Sequence, residues 1–250
     1  MNSSKKSILN SNFTYLAAFV LPVIMMMALY YTRGIFPWGN ECYLRSDMYH
    51  QYAPFFSELW HKIRNGESLT YSWNIGMGTN FTSLFAYYLA SPSNWFVALF
   101  PQKYTIEIMN AFIILKIAGS SLSLTYYLTK HNNNKHVIAA IFGMFYGMSG
   151  FIAAYSWNIM WMEVMMMLPL ILYGVDKLIK EHDGRFYCIT LFISLWCNFY
   201  MSYMTCLFLI LWYLLYPHKN IKEFFLNGLR FAGYSLLSGA MAAVVLLPAY

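Results

Sequence analysis

The chain has 250 residues, is 59% hydrophobic and only 10% charged, and carries a net charge of +6. A soluble domain has roughly 25% charged residues, so this composition excludes an ordinary soluble enzyme; apolar runs near 20 residues imply an all-α, polytopic membrane protein. The excess positive charge does not point to nucleic acid, because the basic residues sit in short connectors between apolar runs, as the positive-inside bias requires.

In chain order, the first apolar run covers about 13–31. It is too long and too aromatic for a signal-peptide core, and no small-residue cleavage pattern follows, so it reads as a retained span leading from inside to outside. Lys5 and Lys6 precede it. A long polar extracellular loop, about 32–104, comes next and opens with Arg33, Arg45 and Ser46-Asp47-Met48-Tyr49-His50-Gln51-Tyr52. Asp47 is a carboxylate just outside the bilayer. It suits a general base for a substrate presented at the membrane surface, or, with Ser46, a cap on the helix that follows. His50 and Gln51 are placed to position a substrate, with interfacial polarity as the alternative for His50. Arg33 and Arg45 suit bidentate phosphate binding or lipid headgroup contact.

From Tyr52 the apolar residues Phe55, Phe56, Leu59 and Ile63 recur with a helical period, with Ser57, Glu58, His61 and Lys62 opposite. Pro54 suits a first turn and Gly66 a stop, so an amphipathic helix lying on the outer membrane surface is expected, with Trp60 in the interfacial belt. Asp47, His50, Glu58 and His61 match no compact ligand spacing, so no metal site is assigned. Further on, Gly76 and Gly78 form a Gly-x-Gly that suits either a phosphate cradle or a turn. The run 95–100 is too short to span and is expected at the interface.

The second span is about 106–128 and carries Lys116 near its middle. A lysine there costs roughly 2.5–3.5 kcal/mol, so it needs a lipid phosphate, a carbonyl cluster or a carboxylate partner. The third and fourth spans are about 137–155 and 159–178, joined by Ser156-Trp157-Asn158; Glu163, just inside the fourth, is a second candidate carboxylate. The stretch 186–216 would make a single helix of about 46 Å, too long for a core of about 30 Å. Two short helices, 186–197 and 203–216, turning near Asn198, keep the basic connectors inside. Asn198 then lines the outer cavity or satisfies the turn. A last span covers about 226–247, so a single membrane domain of about seven segments with an internal N-terminus is expected. The apolar ending suggests the N-terminal part of a longer protein. The four cysteines and 17 methionines read as packing residues.

The order and spacing of several short segments resemble one family. These are Asp47-Met48-Tyr49-His50-Gln51-Tyr52-x-Pro54-Phe55; Trp73-Asn74 with Gly76-x-Gly78; Tyr88 with Pro92; Trp157-Asn158-x-Met160-Trp161; Leu168-Pro169-Leu170; and Asn198-Phe199-Tyr200. Together they are similar to the bacterial YfhO-like membrane proteins over nearly the whole chain. That family looks like part of the GT-C glycosyltransferase superfamily and is usually much longer than this chain. The resemblance implies an enzyme that takes a sugar from a polyprenyl-phosphate carrier and transfers it to an outer-face envelope glycan or glycolipid such as teichoic acid. It implies a catalytic or metal-binding role for Asp47 and leaves a divalent metal open. The competing readings are a lipid or polymer transporter centred on Lys116, and a non-catalytic assembly subunit.

Overall fold

The computed structural model describes the backbone of residues 2–133 and 137–249, and the side chains of 12–133 and 137–248. The side chains of Lys5 and Lys6, and all of Lys135, lie outside the described residues. The chain is an all-α polytopic membrane protein. Five helical stretches are long and apolar enough to cross a bilayer: Asn12–Thr32, Gln102–His131, Ile138–Tyr155, Ile159–Glu181 and Ile221–Pro248.

Helix α1 (Asn2–Thr32) shows Phe13, Leu16 and Ile24 on its outside, as a lipid-facing span requires. The loop follows, with α2 (Ala53–Asn65), a short hairpin β1 (Tyr71–Ser72) and β2 (Thr79–Asn80), and α3 (Phe81–Leu84). Helix α4 (Thr105–His131) is the central strut, packed against α1, α5 (Ile138–Gly147) and α7 (Met162–Glu181). The α4–α5 contact is close because α5 presents Gly143-x-x-x-Gly147: a Cβ on Gly143 would lie 2.4 Å from the Ser121 carbonyl oxygen. The stretch 137–155 is not one helix. It breaks at Met148-Ser149, where two flanking glycines weaken the helix and Ser149 is extended, and resumes as α6 (Gly150–Tyr155).

The stretch 186–216 folds as α8 (Arg185–Cys197) and α9 (Phe199–Leu215), meeting at Asn198. Asn198 is extended, and its side-chain oxygen caps α9 by accepting from the Met201 N–H at 3.0 Å. The last helix, α10 (Ile221–Ala249), reaches the loop, where Ser83 Oγ donates to the Pro248 carbonyl at 2.8 Å.

Two apolar clusters divide the interior. One fastens the loop to the C-terminal end of α1 and the N-terminal end of α4, through Met48, Tyr52, Phe56, Leu59 and Phe81 against Tyr30, Met109 and Phe112. The other joins α7, α8 and α9 through Ile171, Val175, Tyr187, Leu191, Leu209 and Tyr213. Burying each such side chain contributes roughly 1.5–3 kcal/mol where water is the alternative, which holds for the loop.

The amphipathic helix exists, but only part of its polar face meets water: Ser57 and His61 are half-exposed, while Glu58 and Lys62 are buried. Pro54 stands in its first turn and Gly66 closes it at φ +65°, while Glu58 and Lys62 are 6% and 3% exposed. The hairpin covers that face: Ser72 Oγ and Asn74 Nδ2 donate to the two Glu58 oxygens at 2.6 and 3.0 Å. Lys62 Nζ donates to the Ser68 and Tyr71 carbonyls at 3.0 and 2.8 Å. A polar strip that the periodicity assigns to solvent is therefore the internal mount of the hairpin.

Candidate functional site

The loop is a lid set into one end of the bundle. The segment 85–99, a π-turn followed by a 3-10 helix, drops between the ends of α7, α8 and α10. Trp196 Nε1 donates to the Ala90 carbonyl at 2.8 Å, and Asn198 Nδ2 to the Tyr87 carbonyl at 3.0 Å. Asn198, fully buried, thus joins the tip of the α8–α9 hairpin to the lid rather than facing open space.

Asp47 stands where the chain turns into this lid. Ser46 before it has φ +47°, a left-handed conformation that costs a non-glycine residue of order 1–3 kcal/mol and recurs at functional sites. Asp47 does not cap the following turn, and its partly buried carboxylate makes no hydrogen bond or ion pair among the described residues. Its charge is felt by two nearby tyrosines, Tyr52 and Tyr88. Tyr52 donates to Asn158 Oδ1 at 2.6 Å and Tyr88 to Gln51 Oε1 at 3.1 Å, and the two rings lie 5.4 Å apart. Burial, then Tyr88, then the Asp47 charge push the Tyr52 hydroxyl above the ordinary tyrosine range. Burial, then Tyr87, then Asp47 do the same for Tyr88. Both phenols therefore stay neutral donors beside the carboxylate. His50 and Tyr49 are exposed and contact each other edge to face.

Two residues before Asp47, Arg45 lines a cavity of about 690 Å³ with Arg33, Glu41, Tyr43 and Trp157. It lies between the end of α1 and the turn after α6, where Tyr43 Oη and Ser156 Oγ are 2.6 Å apart. Neither arginine has a carboxylate partner among the described residues, so both guanidinium groups are available to an anion.

Lys116 and Glu163 come together beneath the lid. Lys116 Nζ is 2.7 Å from Glu163 Oε1 and donates to the Ile159 carbonyl at 3.1 Å; both side chains are 5% exposed. Ser91 and Ser93 donate to the same Glu163 oxygen at 2.5 and 2.6 Å. The two charges that each suggest function in isolation are one buried pair that also holds the lid. Gly76 and Gly78 sit at the tip of the hairpin, at φ +61° and +105°, and the Gly78 N–H is bonded to the Ile75 carbonyl at 3.1 Å. The pair makes a turn. Among the described residues no three His, Cys, Asp or Glu side chains group closely enough to hold a metal, so the residues around Asp47 do not fit a metal centre.

The residues that sequence reasoning left without a role are Tyr52, Tyr88, Asn158, Ser91 and Ser93. Tyr52, Tyr88 and Asn158 belong to the short segments singled out in the sequence, and in space those segments converge: the Asp47–Tyr52 turn meets Tyr88, Asn158 and, through Tyr87, Asn198. The family model described as "Bacterial membrane protein YfhO" matches residues 17–250. The chain belongs to the YfhO family. No curated protein and no solved structure matches it.

Proposed function

We propose that the protein is a membrane glycosyltransferase that moves a sugar from a polyprenyl-phosphate carrier to an envelope glycan or glycolipid, such as teichoic acid, on the outer face. The observation that carries the reading is Asp47: a partly buried carboxylate with no hydrogen-bond or ion-pair partner among the described residues, after a strained residue, near two neutral tyrosines, and two residues along the chain from Arg45, which lines a cavity with Arg33, neither having a carboxylate partner among the described residues. The resemblance to GT-C enzymes supports it from a separate direction.

In this reading Asp47 takes the proton of the acceptor hydroxyl as its oxygen attacks the anomeric carbon. The bond from that carbon to the phosphate oxygen breaks, and the carrier phosphate leaves with the electron pair. Arg33 and Arg45 stabilise the charge that grows on the phosphate. Tyr52, Tyr88 and Gln51 hold the turn that aims Asp47, and His50 stands exposed at the entrance. Lys116 and Glu163 position the lid and do not touch the substrate.

The test is substitution in the native gene followed by mass spectrometry of the envelope glycans at matched protein level. Asp47→Asn should lower one sugar substituent by about 10²–10⁴-fold in transfer rate. An unchanged substituent in a well-expressed Asp47→Asn strain would sink the transferase reading. Arg33→Gln and Arg45→Gln should weaken use of the donor by about 10–150-fold each, since a charge-assisted hydrogen bond contributes about 1.5–3 kcal/mol. A loss with a Lys116 variant that folds normally, and none with Asp47→Asn, would favour transport.

A further inference from the structure

The β1–β2 hairpin stands on a buried polar mount. Glu58 and Lys62 hold it through Ser72, Asn74 and the carbonyls of Ser68 and Tyr71. Ser72, which is buried, faces this mount, so its neighbours Tyr71 and Trp73 point to the opposite face of the hairpin. Asn80 pairs with Tyr71 in register and shares that face. Trp73 is 77% exposed, and Tyr71 and Met77 are exposed as well.

The indole is open but not loose. It meets the Tyr71 ring edge to face at 4.9 Å. Gly78 makes room for both rings: a Cβ there would lie 2.0 Å from the Tyr71 hydroxyl and 3.1 Å from Trp73 Cε3. One side of Trp73 is thus fixed by Tyr71 and the turn, and the rest is free for a ligand. The polar groups on this face are neutral. The Tyr71 hydroxyl has no partner among the described residues. Asn80 uses its side-chain oxygen on the Thr82 and Ser83 N–H groups, which leaves its amide nitrogen as a donor. Residues 71–80 contain no charged side chain, and Glu67 before them pairs with His61 and Lys62.

A fixed indole beside a neutral hydroxyl and an amide matches a pyranose ring. The C–H face of the sugar packs on the electron-rich ring, and its hydroxyls reach the polar rim. An anionic polymer finds no cation in 71–80. A bilayer fits poorly too: no Lys or Arg in 71–80 pairs with headgroups, and the glycine turn would lose the water on its backbone. We infer that this face of the hairpin binds a neutral saccharide, with Trp73 as the platform and Tyr71 and Asn80 as hydrogen-bond partners. That the saccharide is part of the acceptor rests on the transferase reading; that a saccharide binds does not.

The purified protein in nanodiscs, free of glycoside detergent, tests this on an array of neutral pyranose and uronate oligosaccharides. The wild type should retain neutral oligosaccharides in preference to uronates. Trp73→Ala should lower that retention about tenfold, the upper end of what an aromatic pair contributes. Tyr71→Phe, which keeps the ring packing, should lower it severalfold, and Trp95→Ala, which removes an exposed indole elsewhere on the lid, should not change it. Retention of no neutral oligosaccharide overturns the inference, as do equal retention of uronates and a loss with Trp95→Ala as large as with Trp73→Ala. Quenching of the Trp73 fluorescence, read as wild type minus Trp73→Phe, by lipids with brominated acyl chains would place the hairpin in the bilayer and overturn it as well. Saccharide binding that persists while Asp47→Asn leaves the envelope glycan unchanged would uphold the binding site and remove only its role in transfer.

Discussion

At the scale of single residues, burial and pairing decide which polar groups are free to act. Lys116 and Glu163 are both buried and bound to each other, to two serines and to a carbonyl; every Glu163 contact is made by Oε1, and Oε2 is left without a partner. Removing one member leaves an uncompensated charge, so Lys116→Met or Glu163→Gln should destabilise the protein by about 3–5 kcal/mol, while Lys116→Met combined with Glu163→Met should recover most of it. Thermal unfolding in detergent reads this directly; a single variant as stable as wild type would contradict the pairing. Tyr52 gives the corresponding pH argument. Its hydroxyl titrates above the ordinary tyrosine value of 10.0, so its contribution is full below that value and is lost as pH rises beyond it. Activity that depends on the Tyr52–Asn158 bond should therefore be flat in Tyr52 ionisation across neutral pH. Tyr52→Phe should cost about 1–3 kcal/mol by stranding Asn158, whose amide nitrogen is already unpartnered.

At the scale of elements, the lid is held by short motifs whose residues are hard to exchange. Gly78 has φ +105°, and a Cβ there would lie 2.0 Å from the Tyr71 hydroxyl. Gly78→Ala should therefore loosen the hairpin by about 1–3 kcal/mol and expose it to protease from outside, whereas Gly66→Ala, which meets nothing within 4 Å, should cost less through its positive φ alone. Limited proteolysis of the two variants separates them. Asn198→Ala removes both the α9 cap and the bond to the Tyr87 carbonyl; a loss of about 1–2 kcal/mol is expected from the cap alone. Such a variant should also lose activity without contacting the substrate, because it frees the lid from the α8–α9 hairpin.

At the scale of the whole molecule, hydropathy carried the long apolar helices. The apolar runs, the helix between Pro54 and Gly66 and the division of 186–216 at Asn198 can be read from periodicity and turn chemistry. The burial of Glu58 and Lys62 cannot, because the hairpin that covers them comes later in the chain. Lys116 and Glu163 look like solitary intramembrane charges for the same reason: their pairing belongs to the packing of α4 against α7. Asp47 could be singled out from its position, but its lack of a partner and the cavity beside Arg45 are properties of the folded lid. The same architecture gives an orientation test. Cys42 is exposed on the lid side, while Cys188 and Cys197 are buried. A membrane-impermeant thiol reagent applied to intact cells should label Cys42 and leave Cys188 and Cys197 untouched; protection of Cys42 until the cells are opened would reverse the assigned faces.

The central claim is that Asp47 drives sugar transfer from a carrier lipid, and the pool of polyprenyl-phosphate-linked sugars measures it most directly. Lipid extracts from cells carrying Asp47→Asn, compared with wild type by mass spectrometry, should show one carrier-linked sugar accumulating as the matching glycan substituent disappears. An unchanged carrier pool with an unchanged glycan, in cells that make the variant at normal level, would contradict the account.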